Sequence, residues 1–77
     1  MREVERLVAD TMENIYNEYV RYTRGDININ EFLVIRYNII VRSTYLNHLN
    51  VRPSEFLDVL GFDLIHEAKV LHELLGL

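Results

Sequence analysis

The stretch that decides the fold of this chain is Asn28-Ile-Asn-Glu-Phe-Leu-Val-Ile-Arg-Tyr-Asn-Ile-Ile-Val-Arg-Ser-Thr-Tyr-Leu-Asn-His-Leu49. Its many β-branched residues suit a β-strand, but its beginning carries the signals of a helix. Asn28 and Glu31 have the spacing of a capping box, and Ile27 and Phe32 have the spacing of a hydrophobic staple. The stretch contains neither Gly nor Pro. The sequence therefore predicts a central helix over about residues 29–48.

The apolar residues of this helix form two stripes rather than one, and a helix of that kind is normally covered on two sides. The first stripe lacks hydroxyl groups and is expected to be the core seam. It consists of Phe32, Ile35, Ile39, Leu46 and Leu49. The second is expected to contact another chain, because tyrosine suits a surface that is wet when free and dry when bound. The predicted interface residues are Leu33, Tyr37, Ile40, Val41 and Tyr45, with Val34 beside them.

The segment before this stretch predicts a first helix over residues 2–23. Its apolar residues recur at helical intervals, with acidic and basic residues on the opposite side. Gly25 suits the position just after a helix, where the backbone turns left-handed. Asn50 suits the same conformation and is expected to end the central helix.

The segment after it predicts two more helices. Pro53 fits the first turn of a short helix that Gly61 is expected to stop, and Asp63 is placed to cap a helix over about residues 64–75. The sequence thus predicts an all-α fold, a small bundle of three longer helices plus one short helix, with residues 1–77 as a single helical domain. The inward-facing residues of the short helix are expected to be Phe56, Leu57 and Leu60.

Composition and charge exclude several classes of function. The 77 residues include no Cys, and the formal net charge is −4. Residues 53–77 hold one Lys against five acids, so the basic footprint of a nucleic-acid-binding protein is absent. No apolar run approaches membrane-spanning length, and the N-terminus has no signal-peptide core. We therefore expect a cytoplasmic protein that does not contact a membrane.

Residues 54–75 offer an alternative function. A short helix, a turn at Gly61 and a longer helix form the outline of a helix-turn-helix DNA-binding regulator. The helix that would enter the major groove offers Lys69 among acidic residues, whereas readout needs donors for base edges and cations for phosphates. DNA binding is therefore the second interpretation rather than the first.

Catalytic and metal sites are not indicated. His66 and His72 are six residues apart, whereas two helical ligands of one metal need a spacing near four. The chain has no Cys nucleophile, no glycine-rich phosphate loop, and no Ser or Thr in a context typical of a nucleophile. We expect no enzymatic activity, no cofactor and no bound metal.

These observations favour a small non-enzymatic protein–protein interaction module. A short chain with a doubly apolar central helix needs a further cover, which a second copy or a larger protein can supply. We expect a homo-oligomer, with a homodimer first, or a regulatory inhibitor or adaptor of a larger protein, or both. By analogy, such a chain resembles an accessory factor of the kind that phages and plasmids encode.

Overall fold

A computed structural model describes the backbone of residues 2–75 and the side chains of that range except Leu71, Leu74 and Leu75. This part of the chain forms three α-helices that pack together, with no strand. They are α1 (Glu3–Thr23), α2 (Ile29–Tyr45) and α3 (Pro53–Leu75). Helix α1 packs against both of the others, whereas α2 and α3 touch each other least. The predicted all-α bundle of longer helices is confirmed.

The turn between α1 and α2 is closed by Gly25. Its φ is 80°, in the left-handed region that glycine adopts without strain. The amide of Gly25 donates to the carbonyl of Tyr22, and the amide of Asp26 donates to the carbonyl of Arg21, both at 3.0 Å. These two hydrogen bonds are those of a Schellman motif, which satisfies the last carbonyls of α1. The predicted end of the first helix is confirmed.

Helix α2 begins at the predicted capping box. The amide of Glu31 donates to Asn28 Oδ1 at 2.8 Å, and the amide of Asn28 donates to Glu31 Oε1 at 3.0 Å. Ile27 and Phe32, the predicted staple, are both buried in the core. Two of the amides that a helix start leaves without partners are therefore satisfied by side chains.

The end of α2 differs from the prediction. The helix stops at Tyr45, not near residue 48, because the side chain of Asn47 holds the following loop. Asn47 Nδ2 donates to the carbonyls of Ser43 and Val51, and the amide of Val51 donates to Asn47 Oδ1 at 3.0 Å. Asn50 does adopt a left-handed φ of 55°, but it lies in this loop rather than at the helix end.

Helix α3 is continuous, so the predicted short helix and the turn at Gly61 are wrong. The helix begins at Pro53 as expected and runs through Gly61 to Leu75. A glycine within a helix costs roughly 1 kcal/mol relative to Ala, which lowers stability without forcing a break. Gly61 lacks the positive φ that Gly25 has. The helix-turn-helix outline of residues 54–75 therefore lacks its turn.

The core lies where the three helices meet. Phe56 and Leu60 of α3 are fully buried, and Tyr19, Tyr22 and Phe32 form an aromatic cluster with ring centroids about 6 Å apart. Leu57 is exposed, contrary to expectation, because Phe56 and Leu60 already occupy the face of α3 that points inward. The buried apolar residues are Val4, Leu7, Val8, Met12, Ile15, Ile27, Phe32, Val51, Phe56 and Leu60.

Candidate protein interface

Helix α2 is covered on one side only. The first stripe supplies its inward face, with Phe32 buried and Ile35 and Ile39 half-buried against the core. Leu46 was expected in this seam, but it is 76% exposed because the helix ends before it and the chain turns away. Of the 17 residues of α2, only Phe32 and Thr44 are buried. Much of the second side of this apolar helix is left uncovered by the described residues.

The predicted interface residues lie along that second side. Tyr37 and Tyr45 are 66% and 70% exposed, and Leu33 is 47% exposed. Ile40 and Val41 are half-buried, with Ile40 packed against the edge of the core. Val34, which flanks the stripe, is also exposed. We call these residues the α2 stripe: Leu33, Val34, Tyr37, Ile40, Val41 and Tyr45.

Charged residues border one flank of the α2 stripe. Glu31 lies in the first turn of α2 and Arg42 in its last turn, and both are exposed. Each is at the helix end where its charge is favourable, because the N-terminus of a helix is partly positive and the C-terminus partly negative. Neither belongs to one of the ion pairs found among residues 2–75. The flank is therefore negative at one end and positive at the other.

Helix α3 carries a second group of exposed apolar residues, which the sequence did not predict. Phe62 is 77% exposed and Ile65 is 61% exposed. Leu57, which is 45% exposed, lies on the same helix. Phe62 has the apolar Ile65 three positions after it, but Asp58, His66 and Lys69 also lie beside it at helical spacing. This group is more scattered than the α2 stripe and includes no tyrosine.

A buried ion pair fixes α2 against α3, and the sequence did not reveal it. Arg36 donates to Glu67 Oε1 from Nε at 2.9 Å and from a terminal nitrogen at 2.6 Å. The side chain of Glu67 is 2% exposed and that of Arg36 is 24% exposed. Glu67 Oε2 is buried and accepts no hydrogen bond from the described residues. In the sequence, Glu67 is one of several acids on α3, and only its helical spacing from Phe56 and Leu60 could have placed it inward.

An open groove of about 560 Å³ lies between α1 and the C-terminal half of α2. Leu7, Ile39 and Leu46 supply its apolar surface. Asp10 of α1 and Arg42 of α2 line it as well, so its charge is mixed. The groove adjoins the C-terminal end of α2, where Arg42 lies, and it is open to solvent.

The described residues bring no group of three or more His, Asp or Glu side chains close enough to hold a metal ion. His66 and His72 are both exposed on α3. Within residues 2–75, no helix has the length and apolarity that crossing a bilayer requires. Comparison with protein-family models, with curated protein sequences and with solved structures found no match for this chain.

Proposed function

We propose that this protein is a small non-enzymatic interaction module that binds another protein chain through the α2 stripe. The observation that carries the proposal is the one-sided cover of α2. Helices that are apolar on two sides are buried on two sides in stable assemblies. The α2 stripe, from Leu33 to Tyr45, runs for roughly 18 Å along a helix that rises 1.5 Å per residue.

The chemistry of the α2 stripe suits binding better than accidental exposure. Exposed apolar patches bordered by polar residues are typical of protein interaction sites. Tyr37 and Tyr45 present both a ring for apolar contact and a hydroxyl that stays hydrated when the surface is free. Glu31 and Arg42 provide a charged border that selects a partner and its orientation.

The α2 stripe also lies on a supported helix. The capping box holds the start of α2, the pair Arg36–Glu67 holds its middle against α3, and Asn47 holds the loop after its end. A surface held in this way loses little conformational entropy on binding, which favours affinity. The stripe therefore offers a preformed contact surface.

The test compares two exposed aromatic residues. Tyr37→Glu places a charge in the α2 stripe, and Phe62→Glu makes the same kind of change on α3, where the side chain is 77% exposed. Both variants should keep the helical circular dichroism signal, because neither side chain belongs to the buried core. Native mass is measured by light scattering over a range of concentrations, and partner capture by pull-down from the source cells.

The proposal predicts that Tyr37→Glu lowers the native mass or abolishes capture of a partner that wild type binds, while Phe62→Glu does neither. Equal effects of the two variants, or an effect of Phe62→Glu alone, would contradict it. If Tyr37→Glu unfolds the chain, Tyr45→Glu provides a second test near the end of the helix, where the side chain is 70% exposed.

A further inference from the structure

We infer that the chain that covers the α2 stripe is a second copy of this protein, packed antiparallel about a two-fold axis at Tyr37. This inference rests on the proposed function and names its partner. Two-fold dimers are the commonest closed assemblies, and in them the same surface serves both subunits. The axis at Tyr37 places Leu33 opposite Val41 of the partner subunit, because the two positions are equally far from Tyr37 along the helix.

The charge distribution along α2 selects the antiparallel orientation. In an antiparallel pair, each flank of one helix lies next to the same flank of the other helix. The first turn of one helix lies beside the last turn of the other. Glu31 then lies beside Arg42 of the partner subunit, and symmetry repeats the pair at the other end. The helix dipoles are also opposed, so that each positive N-terminus adjoins a negative C-terminus. A charge pattern that is negative at one end and positive at the other complements itself in this orientation.

The exposed area of the chain is consistent with a missing subunit. The chain exposes 5482 Å². A folded monomer of 9.2 kDa exposes about 4,900 Å² on the usual scaling of surface with mass. The chain therefore exposes roughly 550 Å² more than this scaling gives, and the smallest stable interfaces bury roughly 600 Å² per subunit. Of the ten large apolar side chains that are exposed among the described residues, four belong to the α2 stripe: Leu33, Val34, Tyr37 and Tyr45.

Because the sequence contains no cysteine, an introduced thiol can form a disulfide only with another introduced thiol, and a crosslink therefore reports which positions meet. Leu33→Cys and Val41→Cys each introduce a single thiol into the α2 stripe, and a disulfide forms only where the two Cβ atoms approach to about 4 Å. One variant carries an additional tag, so that mixed and like pairs differ in mass. The two variants are oxidised separately and as an equimolar mixture, and the products are separated by non-reducing electrophoresis.

The expected result is a wild-type native mass of twice the monomer and a crosslink that forms in the mixture and not in either variant alone. Crosslinks within each separate variant would overturn the antiparallel arrangement and leave the α2 stripe as the interface. A wild-type mass of one subunit at every concentration would overturn the second copy, and the proposed function would then be judged by partner capture with Tyr37→Glu. If wild type is a dimer, neither variant nor their mixture forms a crosslink, and Tyr37→Glu is still a dimer, both proposals are overturned.

The charge pairs are tested by reversal. Arg42→Glu places two acids together at each end of the dimer and is expected to weaken dimerisation about tenfold. Glu31→Arg combined with Arg42→Glu restores opposite charges and should recover most of the loss, with helical content monitored because Glu31 also serves the capping box. Arg6→Glu makes the same charge change on the exposed side of α1 and is the control. Equal weakening by Arg6→Glu, or no recovery in a folded double variant, would overturn the pairing of Glu31 with Arg42.

Discussion

Arg36 of α2 directs two nitrogens at one oxygen of Glu67 on α3. Of the ion pairs found among residues 2–75, it is the only one that joins two helices. Burial of two charges costs several kcal/mol, and their attraction compensates only when geometry and hydrogen bonding are favourable. Here the two helices that touch each other least are joined by a directional contact instead of a large apolar surface. The pair therefore ties α2 to α3, while the larger contact of α2 is with α1.

Arg36→Met should destabilise the fold by about 3 kcal/mol, because it leaves the carboxylate of Glu67 buried without its partner. Arg36→Met combined with Glu67→Leu should return to within about 1 kcal/mol of wild type, since apolar side chains then fill the site. Chemical denaturation of the single and double variants measures both values. Arg21→Met removes one partner of an exposed pair and should change stability by less than about 1 kcal/mol. A double variant no more stable than the worse single variant would show that the pair does not act as a unit.

Alanine at the two glycines should have opposite effects. Gly25→Ala should destabilise by about 1 kcal/mol, because its φ of 80° strains an L-residue although nothing lies near the added Cβ. Gly61→Ala should stabilise by about 0.5–1 kcal/mol, because Gly61 is inside a helix and open space surrounds the added methyl group. Thermal and chemical unfolding of both variants provide the measurement. Destabilisation by Gly61→Ala would indicate a turn at Gly61, as a helix-turn-helix requires.

Asn28→Ala should destabilise by about 1 kcal/mol, the usual consequence of removing an N-cap side chain. The variant loses the acceptor for the amide of Glu31 and leaves that donor to water. Asn30→Ala is the matched control, since Asn30 is exposed in the same turn and caps nothing. Denaturant midpoints of the two variants should differ clearly, and equal midpoints would mean that the capping box adds no stability.

Asn47→Ala should destabilise by about 1–2 kcal/mol, because one amide side chain makes three hydrogen bonds to the loop backbone. Hydrogen exchange at the amide of Val51 should accelerate, since that amide donates to Asn47 Oδ1. Asn17→Ala on the exposed side of α1 is the control and should stay within about 0.5 kcal/mol. Unchanged exchange at Val51 would show that other contacts hold the loop.

The sequence determined those features that depend on residues close together in the chain. The capping box of Asn28 and Glu31, the left-handed turn at Gly25 and the start of α3 at Pro53 each need only a few neighbouring residues. Their geometry is local, so the residue types alone specify it. The two-sided apolar character of α2 was also readable, because helical periodicity assigns residues to faces.

Only the tertiary structure decided which of these faces is covered. Gly61 has the residue type of a helix end, but Leu60 before it and Leu64 and Glu67 after it lie on one inward face of α3, and their packing keeps the helix continuous. Glu67 resembles a surface acid until α2 brings Arg36 to it from 31 positions away in the chain. Leu46 was lost from the core seam because the hydrogen bonds of Asn47 end the helix first. Cover by a neighbouring helix is a property of the assembled bundle, so only the placement of the three helices could decide which of the two predicted stripes is buried.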